Sequence, residues 1–152
     1  MTLDVLISCE DVEWDADALA IDAGLILRAL RTDGELSVLL TTDDRIRTLN
    51  GQWRGKDVST DVLSFPQDDG ILLGDVVISI DTAARQASEL GHDVGSEVRV
   101  LLTHGICHLL GHDHQDAEQT KLMRAAEQEG LAALGLSFRG LVSRADSQGP
   151  GV

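Results

Sequence analysis

The hydrophobic period of the chain changes near Asp81, and this change limits the folds that the chain can adopt. Before it, short alternating or continuously apolar segments that predict strands dominate, with two helical segments among them; after it, apolar residues recur at helical spacing. The predicted strands are Thr2–Cys9, Glu35–Thr41, Asp61–Phe65 and Ile71–Ile80, and the predicted helices are Asp15–Leu30, Thr42–Leu49, Asp81–Leu90, Glu97–Leu110 and Asp116–Leu134. We therefore expect an α+β fold with a single mixed β-sheet and helices packed on it.

Polar and glycine-containing segments separate these elements. Asn50–Ser59 is predicted as a polar connection, and Asp68–Gly70 as the turn of a hairpin between the last two strands. Gly91–Gly95 is predicted as a loop, after which Ser96 caps the next helix and Gly111 ends it.

The length of 152 residues fits one domain. Hydrophobic residues make up 43% and charged residues 25%, which is typical of a globular protein and not of a disordered one. We expect one metal-dependent hydrolase domain over residues 1–142 and a flexible tail over residues 143–152.

Two features of the composition predict a cytoplasmic protein. The N-terminal segment is acidic where a signal peptide would be basic and then apolar, and no apolar run approaches the roughly 18 residues that span a membrane. Cys9 and Cys107 are too few for a disulfide framework and suit a reducing compartment.

The formal net charge of −14 disfavours non-specific binding to nucleic acid. The charge is unevenly distributed, however, because four of the 12 basic residues lie close together: Arg45, Arg47, Arg54 and Lys56. Such a segment can form a local basic patch, so the net charge does not decide which partner the chain binds.

Four of the five histidines lie in the segment THGICHLLGHDH. His104 and His108 are four residues apart on a predicted helix, which places them about 40° apart on one face. Gly111 then turns the chain, so that His114 can reach the same ion. Three imidazoles and an open fourth position are the ligand set of a catalytic zinc site, on a helix and turn like those of metzincin peptidases.

Gly105 separates this segment from the metzincins, in which the residue after the first histidine is the glutamate that acts as general base. Glycine cannot transfer a proton, so the segment predicts a metal hydrolase without the peptidase base. A structural metal, or histidines without a metal, are the alternatives. Zinc is the expected ion, although three-histidine sites also accept other divalent transition metals.

The neighbours of these histidines have simpler interpretations. Cys107 is interpreted as a small buried hydrophobic residue, and His112 as a solvated loop residue. Asp113 either orients a ligand imidazole or supports the turn. His92 is expected to be a loop residue with no role.

Three blocks of the sequence resemble the YbeY family of bacterial endoribonucleases. HGICHLLGHDH at residues 104–114 is similar to the family's HGxxHLxGxDH, LNGQWRGKDVSTDVLSFP at 49–66 to its LNxxxRxxDxxTDVLSFP, and LGDVVIS at 73–79 to its third block. The resemblance runs from about Leu36 to Glu129. Ser59 and Cys107 stand where many members have proline and leucine, and both are interpreted as packing or turn variation.

The resemblance implies a metal-dependent, single-strand-specific endoribonuclease in ribosomal RNA maturation and ribosome quality control. It implies precursor ribosomal RNA as substrate and the small ribosomal subunit and its associated proteins as partners, without a membrane or DNA. By the same resemblance, His104, His108 and His114 are metal ligands and Arg54 is a functional arginine.

We expect Arg54 to hold the phosphate during cleavage, with a weaker contribution from Lys56 to substrate binding. The alternative for Arg54 is a surface ion pair with Asp57. Two interpretations are open for the other basic residues of this segment: they extend a phosphate track, or they belong to a helix face that is salt-bridged to Asp43 or Asp44. These residues are Arg45, Arg47 and Lys56. Trp53 is expected to be buried rather than to stack on a base. Four further residues resemble family positions, and their side chains either have a role in the site or only brace the sheet against it: Thr60, Asp61, Ser64 and Asp75.

Two other functions stay open. A metallopeptidase would match the histidine spacing but lacks the glutamate base. A non-enzymatic ribosome-assembly factor with a structural metal would suit the charge of −14.

Overall fold

The computed structural model describes residues 3–67 and 72–136. Its strands and helices are β1 (Leu3–Cys9), α1 (Ala16–Ala29), β2 (Gly34–Thr41), α2 (Asp43–Arg54), β3 (Val62–Pro66), β4 (Leu72–Ser79), α3 (Ile80–Leu90), α4 (Val94–Leu109) and α5 (Ala117–Ala133). The predicted elements are all present, and the α+β expectation is confirmed.

The strands form one mixed sheet in the order β1-β2-β4-β3. β1 pairs with β2 and β2 with β4 in parallel, whereas β3 pairs antiparallel with β4, with Leu63 opposite Val77. The predicted pairing of the last two strands is therefore confirmed, and the predicted turn Asp68–Gly70 lies outside the described residues. β3 is an edge strand of the sheet, a position that matters for the site.

Side chains alternate between the two faces of the sheet and so separate two hydrophobic clusters. Val76 and Ile78 of β4 belong to the larger cluster, together with residues of α1, α3 and α4. Val77, between them, packs with Ile46 of α2 and Leu63 of β3 on the opposite face. Burial of each such aliphatic side chain contributes about 1.5–3 kcal/mol to stability.

Helix α2 is longer than the sequence predicted, because the predicted connection Asn50–Ser59 begins with one and a half helical turns. The buried Asn50 side chain donates a hydrogen bond to the Val58 carbonyl at 3.0 Å, which holds the helix end against the following loop. Gly55 ends the helix in the left-handed region at φ 68°. This extension places Arg54 on the last turn of a helix and not in a loop.

Helix α4 starts earlier than predicted. Its N-cap is Asp93, whose carboxylate accepts a hydrogen bond from the Ser96 backbone N–H at 2.6 Å, so Ser96 lies inside the helix and is not the cap. The helix ends at Leu109 before Gly111, as expected. Residues 143–152, predicted as a flexible tail, lie outside the described residues, and the domain bounds 1–142 stay a prediction.

Candidate metal centre

Three histidine side chains converge at the C-terminal end of α4. One ring nitrogen from each of His104, His108 and His114 lies within 4.8 Å of those of the other two. The Nε2 atoms of His104 and His108 are 3.2 Å apart, and the rings of His108 and His114 are 5.7 Å apart between centroids. The structure thus brings together the three histidines that the sequence singled out.

The backbone after α4 explains how His114 reaches the other two. Gly111 adopts φ 95°, a conformation that favours glycine, and its N–H donates to the His108 carbonyl at 3.0 Å. The Asp113 carboxylate accepts a hydrogen bond from the His114 backbone N–H at 2.8 Å. Asp113 therefore supports the turn, which is one of the two roles that the sequence left open.

Glu127 of α5 orients the first histidine of the cluster. Its Oε2 lies 2.6 Å from Nδ1 of His104, and the two residues are only 7% and 4% exposed. With Nδ1 donating to this carboxylate, Nε2 of His104 presents its lone pair to the other two histidines. Glu127 was not identified from the sequence, although a charged residue on the apolar face of α5, between Met123 and Leu131, is a signal that could have indicated it.

The arrangement fits a metal ion in three respects. Ligand nitrogens of a tetrahedral zinc ion lie about 3.3 Å apart, close to the 3.2 Å between Nε2 of His104 and of His108. Nε2 of His114 is buried without a hydrogen-bond partner among the described residues, as expected of an atom that awaits a ligand. Burial, and then the neighbouring histidines, lowers the pKa of His108 to about 4, so this imidazole is neutral at pH 7.

Gly105 faces the sheet and not the three histidines. A Cβ atom there would lie 2.7 Å from Cγ1 of Val76 and 3.3 Å from Oγ of Ser64. The Ser64 hydroxyl donates to the Gly105 carbonyl at 3.0 Å, which fastens α4 to the edge strand β3. A side chain at this position has no room, so the peptidase base is excluded by packing as well as by chemistry.

Arg54 lies on the other side of the same edge strand. Its Nη2 donates a hydrogen bond to the Ser64 carbonyl, and its Cζ lies 5.4 Å from the centroid of the Phe65 ring. The alternative of an ion pair with Asp57 is wrong, because Asp57 pairs with Arg47 at 2.9 Å and 3.2 Å. The positive charge of Arg54 is also one of the causes that lower the pKa of His108, which places the two side chains in one electrostatic environment.

The other basic side chains between residues 45 and 56 do not form the ion pairs that the sequence suggested. Arg45 pairs with Glu10 at 2.9 Å, and Arg47 with Asp57, rather than either with Asp43 or Asp44. Lys56 is exposed. Among the described residues, neither Lys56 nor Arg54 forms an ion pair with a carboxylate, so these two cations are available to a ligand.

The expectation that Trp53 is buried is wrong, because its side chain is 70% exposed. α2 ends one residue later, so the indole projects beyond the cluster of Ile46, Leu63 and Val77 that holds the helix to the sheet.

Some of the remaining expectations for residues near the site agree with the structure, and one does not. Cys107 is fully buried, and burial raises the pKa of its thiol, which agrees with a small hydrophobic residue. His112 is partly exposed and outside the three-histidine cluster. His92 was expected to have no role, but its Nε2 lies 2.6 Å from Oε1 of the fully buried Glu97. Asp61 braces the start of β3 by accepting the Val62 N–H at 2.8 Å.

Comparison with known proteins identifies the family. The family model described as Endoribonuclease YbeY matches residues 4–135. The chain belongs to the YbeY family. The matched range contains all the elements from β2 to α5, and it includes Arg54 and the three clustered histidines.

Curated relatives named Endoribonuclease YbeY agree with this YbeY assignment. The protein of Anaeromyxobacter dehalogenans is 53% identical over 80% of this chain, that of Carboxydothermus hydrogenoformans 51% over 84%, and that of Aquifex aeolicus 46% over 86%. The chain spans only 65% of the Anaeromyxobacter dehalogenans protein and 66% of a second relative, from Anaeromyxobacter sp. strain Fw109-5. It spans 93% of the Carboxydothermus hydrogenoformans protein and 91% of the Aquifex aeolicus protein.

A solved structure agrees with the YbeY fold. The solution structure of a Thermotoga maritima protein superimposes with a TM-score of 0.59 over 97% of this chain and 99% of that one, at 23% identity. This likeness supports the fold alone. Within the described ranges, no helix combines the length and the apolar composition that crossing a membrane requires.

Proposed function

We propose that this YbeY-family chain is a metal-dependent endoribonuclease that cleaves single-stranded RNA during ribosomal RNA maturation and ribosome quality control. The observation that carries the proposal is the placement of Arg54 and of the three histidines on opposite sides of one edge strand. Ser64 joins the two sides, since its carbonyl accepts from Arg54 and its hydroxyl donates to the Gly105 carbonyl, next to His104.

The three histidines would hold one divalent ion, with zinc as the expected metal and other divalent transition metals as substitutes. Such an ion, when bound, supplies Lewis acidity and an activated water at neutral pH. His104 is fixed for this task by Glu127, and His108 is neutral because its pKa is low. The imidazole of His108 therefore does not need to lose a proton before it binds a metal at pH 7.

Arg54 would bind the phosphate that is cleaved. Negative charge grows on the non-bridging oxygens of a phosphodiester under attack, and a guanidinium offers two parallel N–H donors to them. The contact with Phe65 limits the directions in which the guanidinium points, which reduces the entropy lost when phosphate binds. Lys56 would add a second, weaker cation near the RNA backbone.

Cytoplasmic ribosomes would supply both substrate and partners in this proposal: precursor ribosomal RNA, the small subunit and its associated proteins. The net charge of −14 favours a second candidate, a ribosome-assembly factor whose metal is structural. Binding to the small subunit but not to free RNA would favour that candidate. True phosphate contacts predict an affinity for free RNA that falls as salt rises.

The experiment is cleavage of a labelled single-stranded RNA by metal-loaded protein and by two variants, His108→Ala and Arg54→Ala. We expect the native chain to cut, chelator to stop it, and both variants to fail, with Arg54→Ala keeping its metal. His112→Ala is the matched control for the histidine, because it lies in the same turn but outside the cluster. Arg28→Ala is the control for the arginine, because Arg28 also lies in the last turn of a helix.

Equal cleavage by all five proteins would identify a contaminating nuclease and reject the proposal. Loss of metal from Arg54→Ala would show that this residue supports the metal centre and does not bind phosphate.

A further inference from the structure

A groove lies between α2 and the face of the sheet that this helix covers only in part. It has a volume of about 880 Å³, within the range of about 300–1,000 Å³ found for small-molecule sites. One wall is the face of α2 that carries Arg45, Leu49 and Trp53 at intervals of four residues.

The floor of the groove is a row of side chains across three neighbouring strands. Ser37 of β2 is in register with Asp75 of β4, and Asp75 is opposite Phe65 of β3. Directly opposed side chains on neighbouring strands have Cβ atoms about 4.5–5.5 Å apart. The row therefore leads from the interior of the sheet to Phe65, on which the guanidinium of Arg54 lies.

The three histidines do not line the groove, but Ser64 connects its lining to the helix that carries His104 and His108. Ser64 lines the groove and also donates its hydroxyl hydrogen bond to the Gly105 carbonyl of α4. Arg54 lines it as well, and its Nη2 donates a hydrogen bond to the Ser64 carbonyl. A ligand whose phosphate lies beside Arg54 would therefore extend into the groove with the part next to that phosphate.

The charges of the lining decide which part of a nucleotide fits. Asp75 in the floor repels phosphate, whereas Arg54, which lies at the edge strand β3, attracts it. Arg45 and Glu10 also line the groove, but they pair with each other at 2.9 Å. Much of the remaining lining is apolar or hydroxyl-bearing, as in Leu39, Leu49 and Ser37. These surfaces suit a base, which has a flat apolar face and a polar edge.

The packing of the fold does not explain why the side chain of Trp53 is exposed. Tryptophan is strongly buried on average, yet this indole is 70% exposed at the rim of the groove, one residue before Arg54. The other tryptophan, Trp14, packs against the main hydrophobic cluster.

We propose that Trp53 is a base-stacking residue, which binds an unpaired base in the groove beside the phosphate held by Arg54. This inference rests on the proposed function, because it takes single-stranded RNA as the ligand. Stacking on an aromatic side chain tolerates any base but requires an unpaired one. The groove thereby makes the enzyme selective for single strands without reading their sequence.

The test uses the fluorescence of Trp53 itself. Trp14→Phe leaves Trp53 as the sole tryptophan, since the chain has two. A short single-stranded RNA is titrated into the full chain in chelator, where it is not cut, beside an abasic oligomer of equal length and charge and an RNA duplex. We expect saturable quenching by the single strand and little by the other two.

Affinity is measured separately for Trp53→Ala and Trp53→Phe, by anisotropy of labelled RNA. Alanine should weaken binding about 5- to 150-fold, the usual loss for one stacked base, whereas phenylalanine should keep most of the affinity. Leu122→Ala is the matched control, because Leu122 is another large hydrophobic residue with an exposed side chain, at 52%, and it lies outside the groove. In metal-loaded enzyme, Trp53→Ala should raise KM and leave kcat unchanged.

Equal affinity of Trp53→Ala and the native chain, or equal binding of abasic and normal RNA, would overturn the inference. If RNA is cut in a His108-dependent way while Trp53→Ala behaves as native, the endoribonuclease proposal stands and the stacking role fails. If Trp53 is needed for binding but the metal-loaded chain never cuts, the stacking role stands and the endoribonuclease proposal fails.

Discussion

The carboxylate of Glu127 lies 2.6 Å from Nδ1 of His104, and this contact joins α5 to the helix that carries two of the three clustered histidines. Both residues are almost completely buried. A carboxylate in this position fixes the tautomer and the direction of the imidazole, and it increases the basicity of the nitrogen that faces a metal. Glu127 therefore belongs to the candidate metal centre although it is not one of the expected ligands.

Replacement of Glu127 by glutamine should weaken metal binding without unfolding the protein. Glutamine keeps the shape and a hydrogen-bond acceptor but removes the negative charge, so we expect metal affinity to fall about 10- to 100-fold. Competition against a chromophoric chelator measures the affinity. Glu129→Gln, on the exposed side of the same helix, should bind metal as the native chain does. If Glu127→Gln binds metal as tightly as Glu129→Gln does, Glu127 has no role in the metal centre.

Metal should stabilise the protein through the histidine cluster. A ligand at 100 times its Kd adds about 2.7 kcal/mol to the free energy of unfolding, which raises Tm by about 5–10 °C in a chain of this size. Calorimetry with and without zinc measures the shift. His108→Ala should abolish it and His112→Ala should not, because only His108 belongs to the cluster. An undiminished shift in His108→Ala would place the ion elsewhere.

Gly105→Ala should destabilise the protein by about 1–3 kcal/mol, the usual effect of overpacking a core. The new methyl group would lie 2.7 Å from Cγ1 of Val76 and push α4 away from the sheet. Urea denaturation measures the change. Gly24→Ala is the control: Gly24 lies inside α1 with nothing within 4 Å of the added Cβ, so alanine should stabilise by about 0.5–1 kcal/mol. Gain of stability at both positions would contradict the packing at Gly105.

Asp43 should make stability depend on pH in the acid range. Partial burial raises its pKa, but hydrogen bonds from Ser79 and Thr82, each 2.6 Å long, and the ion pair with Arg85 outweigh this and hold the pKa below its ordinary value of 3.8. The stabilisation is therefore complete above pH 3.8 and is lost as pH falls through the lower, folded-state pKa.

Asp43→Asn should accordingly lower the stability measured by urea denaturation near neutral pH, and the difference from the native chain should shrink in strong acid. Asp44→Asn, one residue later and exposed, should show a smaller effect. A difference that grows as the pH falls would have the wrong sign for a depressed pKa.

Much of the fold was predictable because periodicity is a local property. The mainly apolar segment Glu35–Thr41 and the spacing of apolar residues in Asp116–Leu134 each lie within one element, and the structure has an element at both places. The end of α2 was not predictable in the same way. Gly51 and polar neighbours indicate a loop, but the bond from Asn50 to the Val58 carbonyl stabilises the helix to Arg54.

The histidine cluster was predictable for a related reason, since the spacing of His104 and His108 on a helix and the turn at Gly111 determine their meeting with His114. Glu127 was harder to find, because it is 23 residues from His104 in the chain and meets it only through the packing of α5 on α4.

The sequence by itself determined the elements, the glycine turn and the metal-ligand spacing of this protein, because each depends on residues within a few turns of one another. Only the tertiary structure decided that Arg54 and the histidines share Ser64, that Gly105 faces Val76, and that Trp53 stands exposed at the rim of a groove. These relations depend on how distant elements pack and on which surface each leaves uncovered. The spacing of residues along the chain does not show how distant elements pack or which surfaces they leave uncovered.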